Sequence, residues 1–261
     1  MREMVVRVPV ADLRKEPDHR CERISQVLYG YRVDVMEQQG EFIQVHTDDG
    51  YGGWIASSYL ATVPAAAAEI WIVISNFATL RPASSDDRFI LPHGALLYGA
   101  ADRKHFLEPA SDRTLELVSG KLQSPDDGCA TDPVAVARQF VSLPYLWGGT
   151  SPYGFDCSGL VQTIFRCCGV LLPRDSKDQV VQGTPVKWDD SSSGDLIFFT
   201  GHVALHLGEG RIIHATRLRG MVVIESLNQG DPDFRADLAE EIIAVRRILA
   251  LSGIDTGGSN G

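Results

Sequence analysis

Apolar and polar residues alternate over short stretches in the first half of the chain, with turn residues between them. Residues 33–35 and 42–45 have the period-two pattern of half-buried strands, and a turn at residues 39–40 separates them. A second turn at residues 48–50 precedes another apolar stretch at residues 52–55. Short strands of this kind are most simply arranged as a small β-barrel, because closure removes exposed strand edges.

The same pattern occurs twice in the first half of the sequence. Residues 11–14 (ADLR) recur as residues 78–81 (ATLR), and residues 28–30 (LYG) recur as residues 97–99 (LYG). The two landmarks agree within two residues, since 81 − 14 is 67 and 99 − 30 is 69. Two copies indicate a tandem pair of small modules rather than a solenoid. We expect the first module, the alanine-rich linker and the second module at residues 1–62, 63–70 and 71–124.

The patterns that follow are typical of helices. Asp132 before Pro133 marks a helix start, and this helix is expected to end near Val141. Asp156 is expected to cap a second helix, which has one apolar face and is stopped by Gly169.

Strand patterns dominate the remainder of the chain. Ser176 and Gln179 have the spacing of a capping box and predict one more short helix, ending at Gly183. Helices before an antiparallel meander indicate an α+β domain at residues 128–250, followed by a disordered tail at residues 251–261. The strands are expected at residues 196–199, 202–207, 211–216, 221–225 and 242–248.

Composition and charge narrow the class of protein. The 261 residues are 44% hydrophobic and 22% charged, which is typical of a soluble globular protein. A net charge of −10 makes nucleic acid and anionic membrane surfaces unfavourable partners. Five cysteines, two of them adjacent, form neither a disulfide framework nor the CxxC spacing of a zinc site. No apolar signal-peptide segment follows the start, so we expect a cytoplasmic protein.

Cys157 is the strongest candidate for chemistry. It follows Asp156 at the first turn of the predicted second helix, where free N–H groups and the helix dipole favour a thiolate. The alternative is an ordinary buried cysteine, since cysteine is among the most buried residue types. A catalytic cysteine also needs a base nearby.

Histidines on two predicted strands can supply that base. With a hairpin turn at residues 208–210, His214 lies across from Ala204. His202 and His206 then share one strand face, and both are diagonal neighbours of His214 at roughly 7–8 Å between Cα atoms. A thiol, a base and a residue that orients the base are the minimum for acyl transfer by cysteine.

A metal site is the main alternative for these histidines. His202 and His206 are four residues apart on a strand, which separates them by about 13 Å. They cannot both lie at the roughly 2.0–2.1 Å that zinc requires. Cys157 with His202 and His214 is a weaker metal-binding alternative, and we expect no metal and no other cofactor.

Five segments of the second half, in order, carry a family pattern. They are residues 145–149 (YLWGG), 156–162 (DCSGLVQ), 172–176 (LPRDS), 194–199 (GDLIFF), and 201–204 (GHVA) with 210–215 (GRIIHA). The series resembles the NlpC-type cysteine peptidases, which implies a circularly permuted papain-like fold and cleavage of bacterial cell-wall peptides. By this resemblance Cys157 is the nucleophile, His202 the general base and His214 the residue that orients the base. His206 is then a structural residue.

The first half resembles a second family. Leu-Arg at residues 13–14, residues 28–30 and Gly-Trp-Ile at residues 53–55 are similar to bacterial SH3-like domains, which commonly accompany cell-wall hydrolases. Two such modules before the catalytic domain resemble the γ-D-glutamyl-L-diamino acid endopeptidases of the cell-wall recycling type. The implied substrate is the peptide L-Ala-γ-D-Glu-diamino acid.

The resemblance also implies which residues bind substrate. In the catalytic domain, the residues that match the substrate groove of the family are Tyr145, Asp156, Ser158, Asp175 and Ser176. Tyr51 of the first module matches a tyrosine that closes one end of the groove. Ile24 stands where the family has an acidic residue, so Glu22, on the same strand face, is the expected substitute. Ordinary barrel surface is the alternative for Tyr51 and Glu22.

Three functions therefore stay open. The favoured one is an endopeptidase acting on small peptidoglycan fragments with a free N-terminal ammonium, which carboxylates such as Asp156 and Glu22 would pair with. The second is a related amidase or acyltransferase with the same cysteine and histidines. The third is a wall-peptide-binding protein, against which the intact Cys157, His202 and His214 argue.

Overall fold

The computed structural model describes residues 2–63, 69–99, 102, 104–109, 111, 113–124 and 132–248. Most of the linker expected at residues 63–70 and the whole tail expected at 251–261 lie outside the described residues. Three large antiparallel sheets follow one another along the chain. The domain limits expected above stay a prediction, which limited proteolysis with mass spectrometry of the fragments would test.

The first sheet has seven strands: β1 (Arg2–Val6), β2 (Val10–Arg14), β3 (Arg23–Leu28), β4 (Arg32–Gln39), β5 (Phe42–His46), β6 (Gly52–Ala56) and β7 (Leu60–Thr62). Their order is β3-β2-β6-β5-β4-β1-β7. The predicted strands at residues 33–35, 42–45 and 52–55 are confirmed as parts of β4, β5 and β6. Leu13 and Ile55 are fully buried in the core of this unit. No ladder among the described residues joins β3 to β7, so the unit is an SH3-like sheet without ladder closure.

The second sheet also has seven strands: β8 (Glu69–Val73), β9 (Phe77–Pro82), β10 (Phe89–Pro92), β11 (Leu96–Gly99), β12 (His105–Leu107), β13 (Thr114–Ser119) and β14 (Leu122–Gln123). Their order, β10-β9-β13-β12-β11-β8-β14, matches the first sheet strand for strand. This identity of topology confirms the tandem repeat inferred from the sequence.

One of the two repeat landmarks is wrong. Gly30 follows β3, whereas Gly99 ends β11, so the two are not equivalent. The equivalent of Gly30 is Gly94, since their φ angles are +84° and +87°. Their N–H groups donate to the carbonyl oxygens of Val6 and Val73 at 2.9 and 2.8 Å. A left-handed turn favours glycine here, and this turn, rather than the letters LYG, marks the repeat.

The third unit combines helices with a meander. Its helices are α1 (Pro133–Arg138), α2 (Cys157–Cys167), α3 (Ser176–Gln179) and α4 (Ala236–Glu240), and a small hairpin is formed by β15 (Thr150–Ser151) and β16 (Gly154–Phe155). Its large sheet consists of β17 (Thr184–Val186), β18 (Leu196–Phe199), β19 (His202–Gly208), β20 (Arg211–Thr216), β21 (Met221–Ser226) and β22 (Ala244–Arg247). The α+β arrangement is confirmed. The helix α1 ends before residue 141, and β17 and α4 were not predicted because three to five residues are too few to show a period. No helix among the described residues is long and apolar enough to cross a membrane.

The large sheet has the order β17-β22-β18-β19-β20-β21. The helix α2 packs against β19 and β20, and its apolar residues Leu160, Ile164 and Phe165 are fully buried there. Gly169, with φ of +77°, follows the end of this helix as expected. The start of α2 is therefore held against the strands that carry the histidines.

The predicted capping box of the third helix is wrong. Asp175 occupies the cap position, and Ser176 is already helical. The Gln179 side chain instead donates to the carbonyl oxygens of Ser158 and Pro173 at 3.1 and 2.8 Å. A buried amide is satisfied by acceptors from other segments here, so local spacing did not decide its partner.

The predicted register of the β19–β20 hairpin is confirmed through most of its length. Leu205 pairs with Ile213 and His206 with Ile212. A bulge near the turn then sets Gly208 opposite Arg211. This irregularity leaves the histidine end of the hairpin in the expected alignment.

The first sheet lies directly against the third unit. Arg166 of α2 donates to both carboxylate oxygens of Asp48 at 2.6 and 3.1 Å. One turn earlier, Gln162 donates to Asp49 at 2.6 Å. The SH3-like unit therefore borders the helix that begins with Cys157.

Candidate active site

Cys157 is the first residue of α2 and is half-buried. Asp156 caps this helix and accepts a hydrogen bond from the N–H of Gly159 at 2.7 Å. Gly148 has φ of +74°, and a Cβ on Gly159 would clash with the carbonyl oxygen of Gly149. The glycines thus allow the preceding loop to pass very close to the first turn of α2.

The Cys157 thiol lies in a poorly hydrated environment. Burial and the neighbouring Asp156 carboxylate raise the pKa of Cys157 to about 11, although hydrogen bonds from the backbones of Val203 and Ser158 lower it. Burial also lowers the pKa of His202 to about 3. Burial therefore opposes both the thiolate of Cys157 and the imidazolium of His202, against the preference of a helix start for a thiolate.

Two histidines and a glutamate form a hydrogen-bonded chain across three neighbouring strands. His202, at the start of β19, has its Nε2 atom 2.7 Å from Nδ1 of His214 in β20. Nε2 of His214 lies 2.9 Å from Oε2 of Glu225 in β21. His214 and Glu225 are buried, whereas His202 is half-buried at the cleft. The predicted pair of His202 and His214 is therefore brought together, with a third member added.

Glu225 is itself held by two arginines. Nε of Arg219 lies 2.9 Å from Oε1, and Nη1 of Arg235 lies 2.5 Å from Oε2. Burial would raise the pKa of Glu225, but hydrogen bonds from His214, Arg219 and Arg235 lower it to about 2. Sequence reasoning missed this residue. Period-two alternation on β21 would have found it, because Val223 pairs with His214 and Glu225 is the diagonal neighbour.

Asp156 forms a buried ion pair with Arg174. The guanidinium donates to Oδ1 at 3.1 Å and to Oδ2 at 2.5 Å. It also donates to the hydroxyls of Ser158 at 2.9 Å and of Ser25, in the first sheet, at 3.0 Å. The Gly148 N–H donates to Oδ2 as well, at 2.9 Å. With these donors, the carboxylate of Asp156 is satisfied by the protein itself.

A groove on one side of Cys157, here called the SH3-side groove, has a volume of about 380 Å³. The first sheet contributes Glu22, Ile24 and Tyr51 to its lining. Glu22 and Ile24 thus face the same groove, as their spacing predicted. The predicted residues of the third unit that line this groove are Asp156, Ser158, Asp175 and Ser176.

Two contacts join the walls of the SH3-side groove. The Tyr51 hydroxyl donates to Oδ1 of Asp175 at 3.3 Å, and Nε1 of Trp147 donates to Oε1 of Glu22 at 2.9 Å. Burial and the Asp175 carboxylate raise the pKa of Tyr51 to about 12, so this hydroxyl stays protonated. The first SH3-like unit therefore contributes one wall of the groove.

A second groove, here called the β20-side groove, lies on the other side of Cys157. Its volume is about 610 Å³. Tyr145 and His202 line it near the thiol, and Arg217 and Leu218 line it beyond the end of β20. Arg217 is exposed, and its guanidinium has no hydrogen bond or ion pair with the described residues. The two grooves meet at Trp147, Cys157 and Gly201, which line both.

His206 lies away from this chemistry. Its Nδ1 atom is 3.1 Å from the carbonyl oxygen of Ser192, and its ring packs against Trp188 at 5.5 Å between centroids. Among the described residues, it has no hydrogen bond with Cys157 or with His214. This location agrees with the structural role expected for it.

A cysteine at the start of a helix, packed on a sheet that carries a histidine pair, defines a cysteine hydrolase with a papain-like arrangement. Residues 142–235 match the model of the NlpC/P60 family, and residues 9–61 match the bacterial SH3 domain.

Similar proteins cover nearly the whole chain. A γ-D-glutamyl-L-lysine dipeptidyl-peptidase of Bacillus subtilis is 30% identical over 87% of this chain and 81% of its own length. Dipeptidyl-peptidase 6 of Lysinibacillus sphaericus is 29% identical over 92% of this chain and 97% of its own. The crystal structure of an NlpC/P60 family protein from Bacillus cereus superposes with a TM-score of 0.82 at 25% identity, covering 95% of this chain and all of that one. The chain belongs to the NlpC/P60 family and is a cysteine peptidase.

Proposed function

We propose that the protein hydrolyses the bond between γ-D-glutamate and a diamino acid in peptidoglycan stem peptides whose N-terminal L-alanine is free. The names of two relatives, each 30% identical, support this choice of bond. Stem peptides acquire such a free terminus once they are detached from the glycan, so we propose a role in cell-wall recycling. The cytoplasmic location expected from the sequence stays a prediction, which fractionation of cells would test.

The observation that carries this proposal is the pair of contacts that the SH3-like unit makes across the SH3-side groove. Tyr51 and Glu22 reach the catalytic unit through Asp175 and Trp147. We propose that a peptide with its glutamyl carbonyl at Cys157 places its two N-terminal residues toward Tyr51 and Glu22, where a glycan would meet these side chains. The alternative of ordinary barrel surface for Tyr51 and Glu22 is disfavoured by these contacts.

We assign the substrate ammonium primarily to Glu22. The carboxylate of Asp156 is already paired with Arg174, so a capped substrate would not leave it without a partner. Oε1 of Glu22 accepts from Trp147, and no described donor contacts Oε2. Oε2 can therefore take a charge-assisted hydrogen bond from the amine. Asp156 lines the groove beside it, and Asp175 and Ser176 are the proposed contacts of D-glutamate.

The proposed chemistry is acyl transfer through a thioester. The Cys157 thiol attacks the γ-carbonyl carbon while His202 accepts its proton, and His214 holds the imidazole in place. The N–H of Cys157, in the first turn of α2, has no intrahelical acceptor and is the proposed donor to the oxyanion. His202 then protonates the leaving amine, and water attacks the thioester with His202 as base.

The β20-side groove is the proposed location of the leaving diamino acid. The guanidinium of Arg217 is unpaired among the described residues and lines this groove, whereas Glu22 lines the SH3-side groove. A peptide with an ammonium at one end and a carboxylate at the other complements this polarity. We propose that Arg217 pairs with a carboxylate of the leaving amino acid.

The test compares kcat/KM for free L-Ala-γ-D-Glu-diaminopimelate, its N-acetyl derivative and the muramyl tripeptide, with product identification by mass spectrometry. Wild-type protein is expected to favour the free peptide by roughly 10-fold or more, because the capped peptides lose a charged contact and meet the wall. Release of intact tripeptide from the muramyl substrate would instead identify an amidase. Binding without any product from the three peptides would favour the wall-peptide-binding alternative.

Variants distinguish the steric effect of Tyr51 from the pairing of Glu22 with the substrate ammonium. Tyr51→Ala is expected to raise kcat/KM for the muramyl tripeptide relative to that for the free peptide. Glu22→Gln is expected to lower kcat/KM for the free peptide alone. Tyr153→Ala removes an exposed tyrosine that lines neither groove and is the control. Equal wild-type rates on all three substrates would refute the walled-groove proposal.

A further inference from the structure

We infer that Glu225 is a positioning residue of the active site, which fixes the protonation of His214 and thereby makes Nδ1 of His202 the atom that accepts the Cys157 proton. The inference rests on the proposed roles of Cys157 and His202. It depends on the hydrogen-bonded chain through β19, β20 and β21 described above.

The direction of each hydrogen bond in the series His202–His214–Glu225 follows from the protonation of Glu225. Arg219 and Arg235 donate to Glu225 from two sides, so its carboxylate is ionised and can only accept. Nε2 of His214, 2.9 Å from Oε2 of Glu225, must therefore carry the hydrogen. In neutral His214 the other nitrogen, Nδ1, then has the lone pair.

The same reasoning extends one step to His202. Its Nε2 atom lies 2.7 Å from Nδ1 of His214, and that lone pair requires Nε2 of His202 to donate. Neutral His202 consequently has its lone pair on Nδ1. Cys157 and His202 line the same groove, so this lone pair is the one available to the thiol.

The chain also has an electrostatic consequence. When His202 accepts the thiol proton it becomes an imidazolium, and its Nε2–H continues to donate to His214. Behind the His214 ring, the negative charges of Glu225 and Asp237 favour the new positive charge, and the charge of Arg235 opposes it. The groups that face His214 and Glu225 are His202 from β19, Arg219 from the turn before β21, and Arg235, which Asp237 holds with two bonds of 2.9 and 2.6 Å.

A purely structural role is the competing explanation, because a buried glutamate paired with two arginines could simply hold neighbouring segments of the polypeptide together. Asp195 is a matched control. It is buried in the same unit and accepts from Arg247 at 2.8 and 2.7 Å, but contacts neither histidine of the chain. Its other side-chain contact is with Ser192, so Asp195→Asn reports the loss of a buried carboxylate–arginine pair away from His202 and His214.

The experiment compares full-length wild type, Glu225→Gln and Asp195→Asn in two ways. Nitrogen-15 NMR of labelled histidines, without substrate, reports which ring nitrogen of His214 carries hydrogen. Steady-state kinetics on the free tripeptide separates kcat from KM. Wild type is expected to show hydrogen on Nε2 of His214, and Glu225→Gln to lose this preference and to lower kcat by about 10- to 100-fold with little change in KM.

Additional variants make the outcome decisive. Glu225→Asp keeps a carboxylate and is expected to retain the His214 preference and more activity than Glu225→Gln. Adding Glu225→Gln to His214→Ala should lower kcat no further, because the glutamate acts only through that ring. An unchanged His214 spectrum in Glu225→Gln, or a kcat loss equal to that of Asp195→Asn, would overturn the inference. The NMR result needs no substrate, so it stands apart from any failure of the proposed peptide specificity.

Discussion

Arg174 and Asp156 form a buried ion pair beside the nucleophile, with two of the three guanidinium nitrogens, Nη1 and Nη2, bonded to the carboxylate. Both side chains are almost fully buried, and the aspartate also caps α2. The pair thus fixes the position of Cys157 and connects it, through Ser25, to the first sheet.

Removal of one partner should be costly. Arg174→Ala leaves the Asp156 charge buried without its main partner, and we expect a loss of about 3–5 kcal/mol in the free energy of unfolding. Arg174→Lys should also destabilise the protein, because an ammonium cannot make both bonds in the same geometry. Urea unfolding measures both changes. Arg88→Ala, at an exposed arginine, is the control, and a loss no larger than in that control would contradict the role of the pair.

The raised pKa of the Cys157 thiol predicts how its alkylation depends on pH. Since burial raises this pKa to about 11, the thiolate fraction should increase with pH throughout the neutral and mildly alkaline range. We expect the rate of iodoacetamide labelling at Cys157, followed by peptide mass spectrometry, to increase continuously from pH 7 to about 10. A rate that becomes constant below pH 8 would instead show a thiolate paired with protonated His202.

The two histidines of β19 should differ strongly when replaced. His202→Gln removes the proposed base, and we expect kcat to fall by roughly 10²- to 10⁴-fold. His206→Gln changes a residue that contacts Ser192 and Trp188, so kcat should stay within about 10-fold of wild type. Kinetics on the free tripeptide at matched folded concentration checks the ranking, and the reverse order would assign the base to His206.

The proposed contact of Arg217 predicts that the enzyme prefers a leaving amino acid with a free carboxylate. The C-terminal amide of the Lys-containing tripeptide should be cleaved about 3- to 10-fold less efficiently than the acid, since a partly exposed ion pair contributes modestly. Arg217→Gln should remove this difference, whereas Arg88→Gln should keep it. Comparison with the diaminopimelate peptide and its amide shows whether the distal or the α-carboxylate is recognised. An acid-to-amide ratio that Arg217→Gln leaves unchanged would exclude the contact.

Much of the site was predictable because its signals are local. The Asp156 cap and the glycine loop mark the start of α2, and these groups are adjacent in sequence. Period-two alternation with a short turn set the register that brings His202 and His214 together. Local backbone geometry therefore determined where the candidate nucleophile and the histidine pair lie.

Tertiary structure decided what surrounds those residues. Arg174 is paired with Asp156, and Arg235 with Glu225, through contacts between segments whose sequence spacing has no period. The wall at Tyr51 depends on how one unit packs against another, 124 positions away in sequence. Burial likewise raises the pKa of Cys157, against the local preference of a helix start for a thiolate. Hydration and long-range pairing are properties of the packed chain, so only the assembled fold determines them.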